Sequence, residues 1–183
     1  MAGIRSLLKI EFFVVVLLVG VCSQGICFPV TAKDDRGKEV EFKEPPRRIV
    51  SLVPTQTELL FSLGLGKRVV GVTNYCNYPE AAKQKEKIGG FAEIDSEKIR
   101  ALNPDLILSF GTIQLPATEK LEKSGMKVFW MYPHTVSQIL ASIERVGEIT
   151  GARREAAHLR ESLEKDIRAL RETLGTIPDE KRP

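Results

Sequence analysis

Residues 48–72 read RIVSLVPTQTELLFSLGLGKRVVGV. Ile49 to Val53 is a short apolar run, β-branched at Ile49, Val50 and Val53, which suits a buried strand. Pro54 ends it. A helix then starts at Thr55, with Leu59, Leu60 and Leu63 on one face and Gly64 at its end. Arg68 to Val72 is the next strand. A helix carried between two apolar strands is the unit of a parallel sheet, because parallel neighbours need a crossover connection.

Downstream the alternation continues. A polar, aromatic loop runs from Thr73 to Pro79, and Ala81 to Lys87 reads as a weak, charged helix. Ile94, Ile99 and Leu102 mark a short helix from Asp95 or Ser96, broken by Asn103-Pro104. Leu106 to Phe110 is a strand. Pro116 opens a helix that ends at Gly125, and Lys127 to Met131 is another strand. Thr135 and Gln138 form a capping box for a helix whose apolar face is Val136, Ile139, Leu140, Ile143 and Val146. Gly151 interrupts it. From Ala152 to Leu174, the stripe Leu159, Leu163, Ile167, Leu170 and Leu174 predicts one more helix, roughly 34 Å long at about 1.5 Å per residue, with a polar face of alternating sign.

Upstream, Val30, Val40 and Phe42 with the turn Asp34-Asp35-Arg36-Gly37 predict a hairpin. Residues 1–27 read as an export signal: Arg5 and Lys9, then the apolar run Phe12 to Val19, then Ser23 and Gly25. That run is about half the ~20 residues a spanning helix needs. Cleavage between positions 23 and 28 would release the chain. Retention of the run, or acylation of Cys22, would tether it to the membrane instead. Once the signal is removed, Cys76 is the one cysteine clear of it, too few for an internal disulfide or a thiolate metal site.

The whole chain has 183 residues, 27 basic and 24 acidic side chains and a net charge of +3. No strong field for nucleic acid follows. At 43% hydrophobic and 28% charged, it is neither a disordered tail nor a polytopic membrane protein. The expected fold is α/β, a mostly parallel sheet flanked by helices and followed by a long helix.

Ligands of such sheets bind at the carboxyl ends of the strands, which directs attention to Thr55, Tyr75, Phe110 and His134. Tyr75, Tyr78, Phe91 and Phe110 lie in or beside loops. Gly89-Gly90 and Gly111 adjoin two of these rings and let backbone approach a bound molecule. Aromatic faces beside open backbone suit a large, flat, partly apolar ligand; closing the ends of the sheet would use the same rings. Enzyme motifs are missing: there is no phosphate loop, zinc-protease motif or nucleophile elbow. Cys76 and His134 are the sole candidate nucleophile and base. No catalytic and no metal-binding residue is assigned.

Four segments together carry a resemblance: Arg48 to Gly64, Val69 to Pro79, Ile88 to Phe91, and Glu97 to Leu108. In that order they resemble the periplasmic binding proteins for cobalamin and ferric siderophores. The Tyr-x-x-Tyr-Pro segment, Tyr75 to Pro79, looks most like the vitamin B12 receptors of ABC importers. The resemblance implies a two-lobed receptor that captures ligand between its lobes and delivers it to a membrane permease, without turnover and with no cofactor beyond the transported corrinoid. On that likeness residues 28–151 are the first lobe, 152–174 the helix joining the lobes, and 175–183 a lead-in to a second lobe absent from the sequence. Tyr75, Phe91 and Phe110, with Thr55 and Gly111 beside them, would line the ligand cleft. The receptors compared have tryptophan where this chain has Phe91 and Phe110. Glu97 aligns with a glutamate that docks on the permease. Glu58, three residues after Thr55, is accounted for by a capping box and is not assigned to docking. The expected protein is a periplasmic monomer. The alternatives are a ferric siderophore or haem as ligand, an exported α/β enzyme, and a scaffold that binds the permease alone. The singled-out loops hold no arginine, which weighs against a strongly anionic siderophore.

Overall fold

A computed structural model describes residues 28–175. The expected export signal, Cys22 and residues 176–183 lie outside the described residues. A hairpin comes first, β1 (Val30–Lys33) antiparallel to β2 (Glu39–Phe42). Then follow β3 (Ile49–Ser51), α1 (Pro54–Ser62), β4 (Val69–Val72), α2 (Glu80–Lys83), β5 (Glu86–Lys87), α3 (Ser96–Ala101), β6 (Leu106–Phe110), α4 (Leu115–Lys123), β7 (Val128–Met131), α5 (Val136–Thr150) and α6 (Arg153–Gly175).

Five strands form one parallel sheet in the order β5-β4-β3-β6-β7. The first of them, β3, sits at its centre. The chain moves outward through β4 to β5, then returns to build β6 and β7 on the other side. Connections leaving β3 and β6 therefore diverge, which opens a crevice at their carboxyl ends. Both faces of the sheet are covered. Ile49, Val69, Leu106, Leu108 and Phe129 face the side of α1, α5 and the hairpin, whereas Val50, Ile107 and Val128 pack with Ile88, Ile99 and Leu121. Burial on both faces explains why these strands are continuous apolar runs rather than alternating ones.

The hairpin is fastened to the sheet at several points. Asp35 N–H donates to the Trp130 carbonyl at 3.1 Å, and the Phe42 ring meets Phe129 edge-on at 6.4 Å. Arg36 lies between Asp34 and Glu122, 2.6 Å from a carboxylate oxygen of each. Partial burial pushes the Glu122 carboxyl up, but hydrogen bonds from Arg36 and Lys38 outweigh this and hold it below the ordinary range.

The capping box of α5 forms as expected. Thr135 Oγ1 accepts from Gln138 N–H, and Gln138 Oε1 accepts from Thr135 N–H. Gly151 ends that helix with φ +78°, a left-handed turn suited to glycine. The chain reverses there and α6 runs back along α5. The two helices pack tightly at Gly147, where an added Cβ would lie 2.3 Å from Ala156 Cβ. The α6 stripe holds in part. Leu159 and Leu163 pack against the core, but Leu170 is exposed. At 23 residues to 15, α6 is the longer helix and carries its carboxyl end past the start of α5.

Three expectations need correction. The helix placed at Ala81–Lys87 is a single turn, Glu80–Lys83, followed by the edge strand β5, where Ile88 N–H donates to the Val72 carbonyl at 3.0 Å. The first helix starts at Pro54, its N-cap is Val53, and no side chain caps it. Proline already has the φ a first helical turn needs, so Thr55 lies inside that turn and the Thr55–Glu58 capping box does not form. Val136 and Ile139, expected on the buried face of α5, are about half exposed at 47% and 48%. They precede the point where α5 reaches the sheet.

Candidate functional site

The loops after all five parallel strands gather at one edge of the sheet. Tyr75 and Tyr78 stand out from the β4 loop, 61% and 67% exposed, and Ile113 from the β6 loop, 64% exposed. Phe91 and Phe110 are half-buried. The Phe110 ring meets Tyr132 at 5.7 Å and 90°, and Tyr132 in turn lies 5.7 Å from Trp130 and 4.1 Å from His134. Phe110 thus ends one branch of an aromatic row that begins at buried Trp130, and exposed His134 ends the other.

Phe110 also borders a cavity of about 290 Å³ with Thr55, Gln56, Met131, Ile139 and Ile143. The cavity lies at the crevice between the diverging strands, and its lining is mostly apolar. Two sequence-predicted positions, Thr55 and Phe110, share it. Gly111 is placed differently: it is buried with φ +70°, and a Cβ there would lie 3.5 Å from the Tyr132 ring. Its carbonyl accepts from Trp130 Nε1 at 2.9 Å. Gly111 therefore backs the aromatic row from behind.

Hydrogen bonds join the loops. Asn74 N–H in the Tyr75 loop donates to the Gly89 carbonyl at 2.9 Å. Gly89, at φ +106°, bridges to Ile94, and a Cβ would fall 2.5 Å from the Glu93 carbonyl oxygen, so only glycine fits this turn. The buried Gln114 side chain links this loop onward, since its Nε2 donates to the Phe91 carbonyl at 3.0 Å and to the Leu52 carbonyl at 2.8 Å. Buried Gln56 reaches across the crevice and donates from Nε2 to the Ser109 carbonyl at 2.9 Å. Neither glutamine was singled out from sequence. Each has one partner more than fifty positions away, and nothing in local periodicity marks them.

Lys87 steadies the Tyr75 loop from outside, donating to the Cys76 carbonyl at 3.1 Å. Cys76 Sγ is fully buried, 3.2 Å from the hydroxyls of Thr57 and Thr73. No substrate can reach it, so the Cys76–His134 pair is not a catalytic arrangement. His134 is exposed, and its backbone N–H is held by Gln138 Oε1 at 2.7 Å. Glu97 lies in the first turn of α3, its N–H bonded to the Asp95 cap at 3.1 Å. Its side chain is 83% exposed, 3.7 Å from Arg100. Glu58 is exposed on α1.

Residues 49–183 match the family described as periplasmic binding protein. The chain belongs to that family. Among relatives, an uncharacterized ABC transporter substrate-binding lipoprotein of Bacillus subtilis, YvrC, is 37% identical over 154 residues, 82% of this chain and 49% of the relative. A vitamin B12-binding protein of Yersinia pestis is 33% identical over 127 residues, 68% of this chain and 45% of the relative. Among solved structures, the periplasmic heme-binding protein RhuT from Roseiflexus sp. RS-1 has a TM-score of 0.63 at 29% identity, covering 73% of this chain and 52% of that one. The chain spans about half the length of the curated relatives it matches.

Proposed function

We propose that this protein captures a corrinoid outside the cytoplasmic membrane and presents it to the permease of an ABC importer. The observation that carries the reading is the chemistry of the crevice edge. Phe110 borders an apolar cavity, Tyr75 and Phe91 add aromatic surface in the neighbouring loops, and the loops at 52–55, 73–79, 88–95, 111–114 and 132–135 contain neither lysine nor arginine. A corrin is a broad, partly apolar ring carrying neutral amides, and it would be held by stacking and van der Waals contact. Strongly anionic ferric siderophores and haem propionates call for cationic partners, which these loops do not supply. Phenylalanine keeps the stacking face without an indole donor, so recognition here is by shape. Thr55 lines the cavity mouth, while Gly111 acts indirectly, through the turn that seats Tyr132. Glu97 is the docking acid in this reading, and the protein acts as a monomer.

Haem is the second reading. The similarity to a heme-binding structure and the exposed phenols of Tyr75 and Tyr78 favour it, because a phenolate can ligate ferric haem.

Trp130, the sole tryptophan, is joined to Phe110 through Tyr132, so a chromophore at Phe110 should quench its fluorescence. Cyanocobalamin is expected to quench saturably, and more tightly than hemin or ferrichrome. Tighter, saturable quenching by hemin would replace the corrinoid with haem, and by ferrichrome with a siderophore.

A further inference from the structure

Strands β3 and β6 part at the crevice, and a side chain takes over their pairing. Leu52 N–H donates to the Leu108 carbonyl at 3.0 Å. In a regular parallel ladder the next bond would run from Phe110 N–H to the Leu52 carbonyl. Instead, Phe110 N–H donates to Gln114 Oε1 at 3.1 Å, and Gln114 Nε2 donates to the Leu52 carbonyl at 2.8 Å. A carboxamide has the donor and the acceptor of a peptide group, so it can be spliced between two strands where a direct bond no longer reaches. The second Nε2 hydrogen goes to the Phe91 carbonyl at 3.0 Å, and Oε1 also receives Ser109 Oγ at 3.5 Å.

Two further facts separate this side chain from an ordinary satisfied core polar group. Gln114 occupies the N-cap position of α4 yet makes no capping bond; it faces the crevice instead. Its partners are the backbones of two rings at the crevice edge and of the loop that leads into α1. Loosening it would free Phe91 and Phe110 together.

We infer that Gln114 is the positioning residue of the binding face, fixing Phe91 and Phe110 relative to each other before ligand arrives. This rests on the reading that those two rings contact the ligand. Preorganised contacts bind more tightly because the ordering cost is met in advance. Tyr75 should be less affected, since its loop makes no direct hydrogen bond to Gln114 among the described residues and is joined to it through intermediates such as Gly89.

The test uses the full chain with Gln114→Leu and Gln114→Glu, followed by amide NMR with hydrogen exchange and cyanocobalamin titration. Gln114→Leu is expected to speed exchange at the Phe110 amide by about tenfold or more and to raise the cyanocobalamin Kd by a similar factor. At saturation the Tyr75 shifts should persist. A folded Gln114→Leu protein that binds within twofold of the parent, or keeps Phe110 protected, overturns the inference. If Gln114→Leu does not fold, Gln114→Glu decides. It keeps an acceptor for Phe110 but sets an oxygen against the Leu52 and Phe91 carbonyls, so Phe91 resonances should move while Phe110 stays protected. Unmoved Phe91 resonances in that variant overturn the inference. A parent protein that does not bind cyanocobalamin removes the corrinoid reading, and the positioning role is then decided on the exchange and Phe91 shifts of the ligand-free variants.

Discussion

Gly147→Ala sets two physical effects against each other. In a helix interior, replacing glycine by alanine normally stabilises by about 1 kcal/mol. Here the added methyl would lie 2.3 Å from Ala156 Cβ and 3.0 Å from the Ala152 carbonyl oxygen. The carbonyl is backbone, and Ala152 N–H is itself bonded to the Gly147 carbonyl at 2.8 Å, so α6 must tilt or slide to make room. Overpacking of this kind costs typically about 1–3 kcal/mol, and contact with both side chain and backbone puts this site near the upper end. The net expectation is a loss of about 2 kcal/mol. For a domain of this size that lowers Tm by roughly 4–8 °C. Thermal and urea melts would measure it, with Ala156→Gly and the double variant completing a cycle. The double variant should lie above the sum of the singles, because removing the Ala156 methyl relieves the closest contact. A Gly147→Ala protein that melts at or above the parent, or a cycle with no coupling, would refute the close packing of α5 on α6.

Other outcomes follow from the same structure. Phe110→Ala should weaken cyanocobalamin binding by roughly tenfold or more in calorimetric titration, while Phe110→Trp should retain it in the same assay, since a wider ring keeps the stacking face. Glu97→Ala should leave ligand affinity unchanged and impair stimulation of the cognate permease in proteoliposomes; a loss of ligand binding would move Glu97 out of the docking role. The lowered Glu122 pKa stabilises the fold above the ordinary glutamate value of about 4.3, and this contribution disappears as pH falls through the lower folded value. Glu122→Gln should therefore lower Tm at neutral pH and flatten the acid limb of Tm against pH, which differential scanning calorimetry across pH would show.

Four of the parallel strands were legible because each is a mainly apolar run closed within two residues by proline, glycine or asparagine, and burial on both faces erases any alternation that could mislead. Strand β5 was not, because Glu86-Lys87 is two polar residues at a sheet edge, defined by hydrogen bonding rather than side-chain pattern. The start of α1 was misplaced by one residue, and with it the role of Thr55, since a helix-opening proline and a capping threonine compete for the same turn. Val136 and Ile139 fit the helical period of α5, but period says nothing about where the sheet ends beneath the helix. At the site, the exposed aromatics could be picked from loop position. Their fastening could not, because Gln114 bonds Leu52 and Phe91 from sixty-two and twenty-three positions away. Gly111 follows Phe110 in sequence, which marks it for the cleft, whereas its buried, positive-φ turn and its bond from Trp130 Nε1 emerge only in the fold.

The central claim is that the crevice edge formed by Tyr75, Phe91 and Phe110 receives a corrinoid. Amide NMR of the full chain, titrated in turn with cyanocobalamin, hemin and ferrichrome, tests it most directly, because weak binding still moves resonances. The account predicts saturable shifts with cyanocobalamin, centred on the loops at 73–79, 88–95 and 111–114 and on the residues around the cavity, with hemin and ferrichrome producing weaker or scattered changes. Shifts from cyanocobalamin confined to other surfaces, or none from a folded sample, would contradict it.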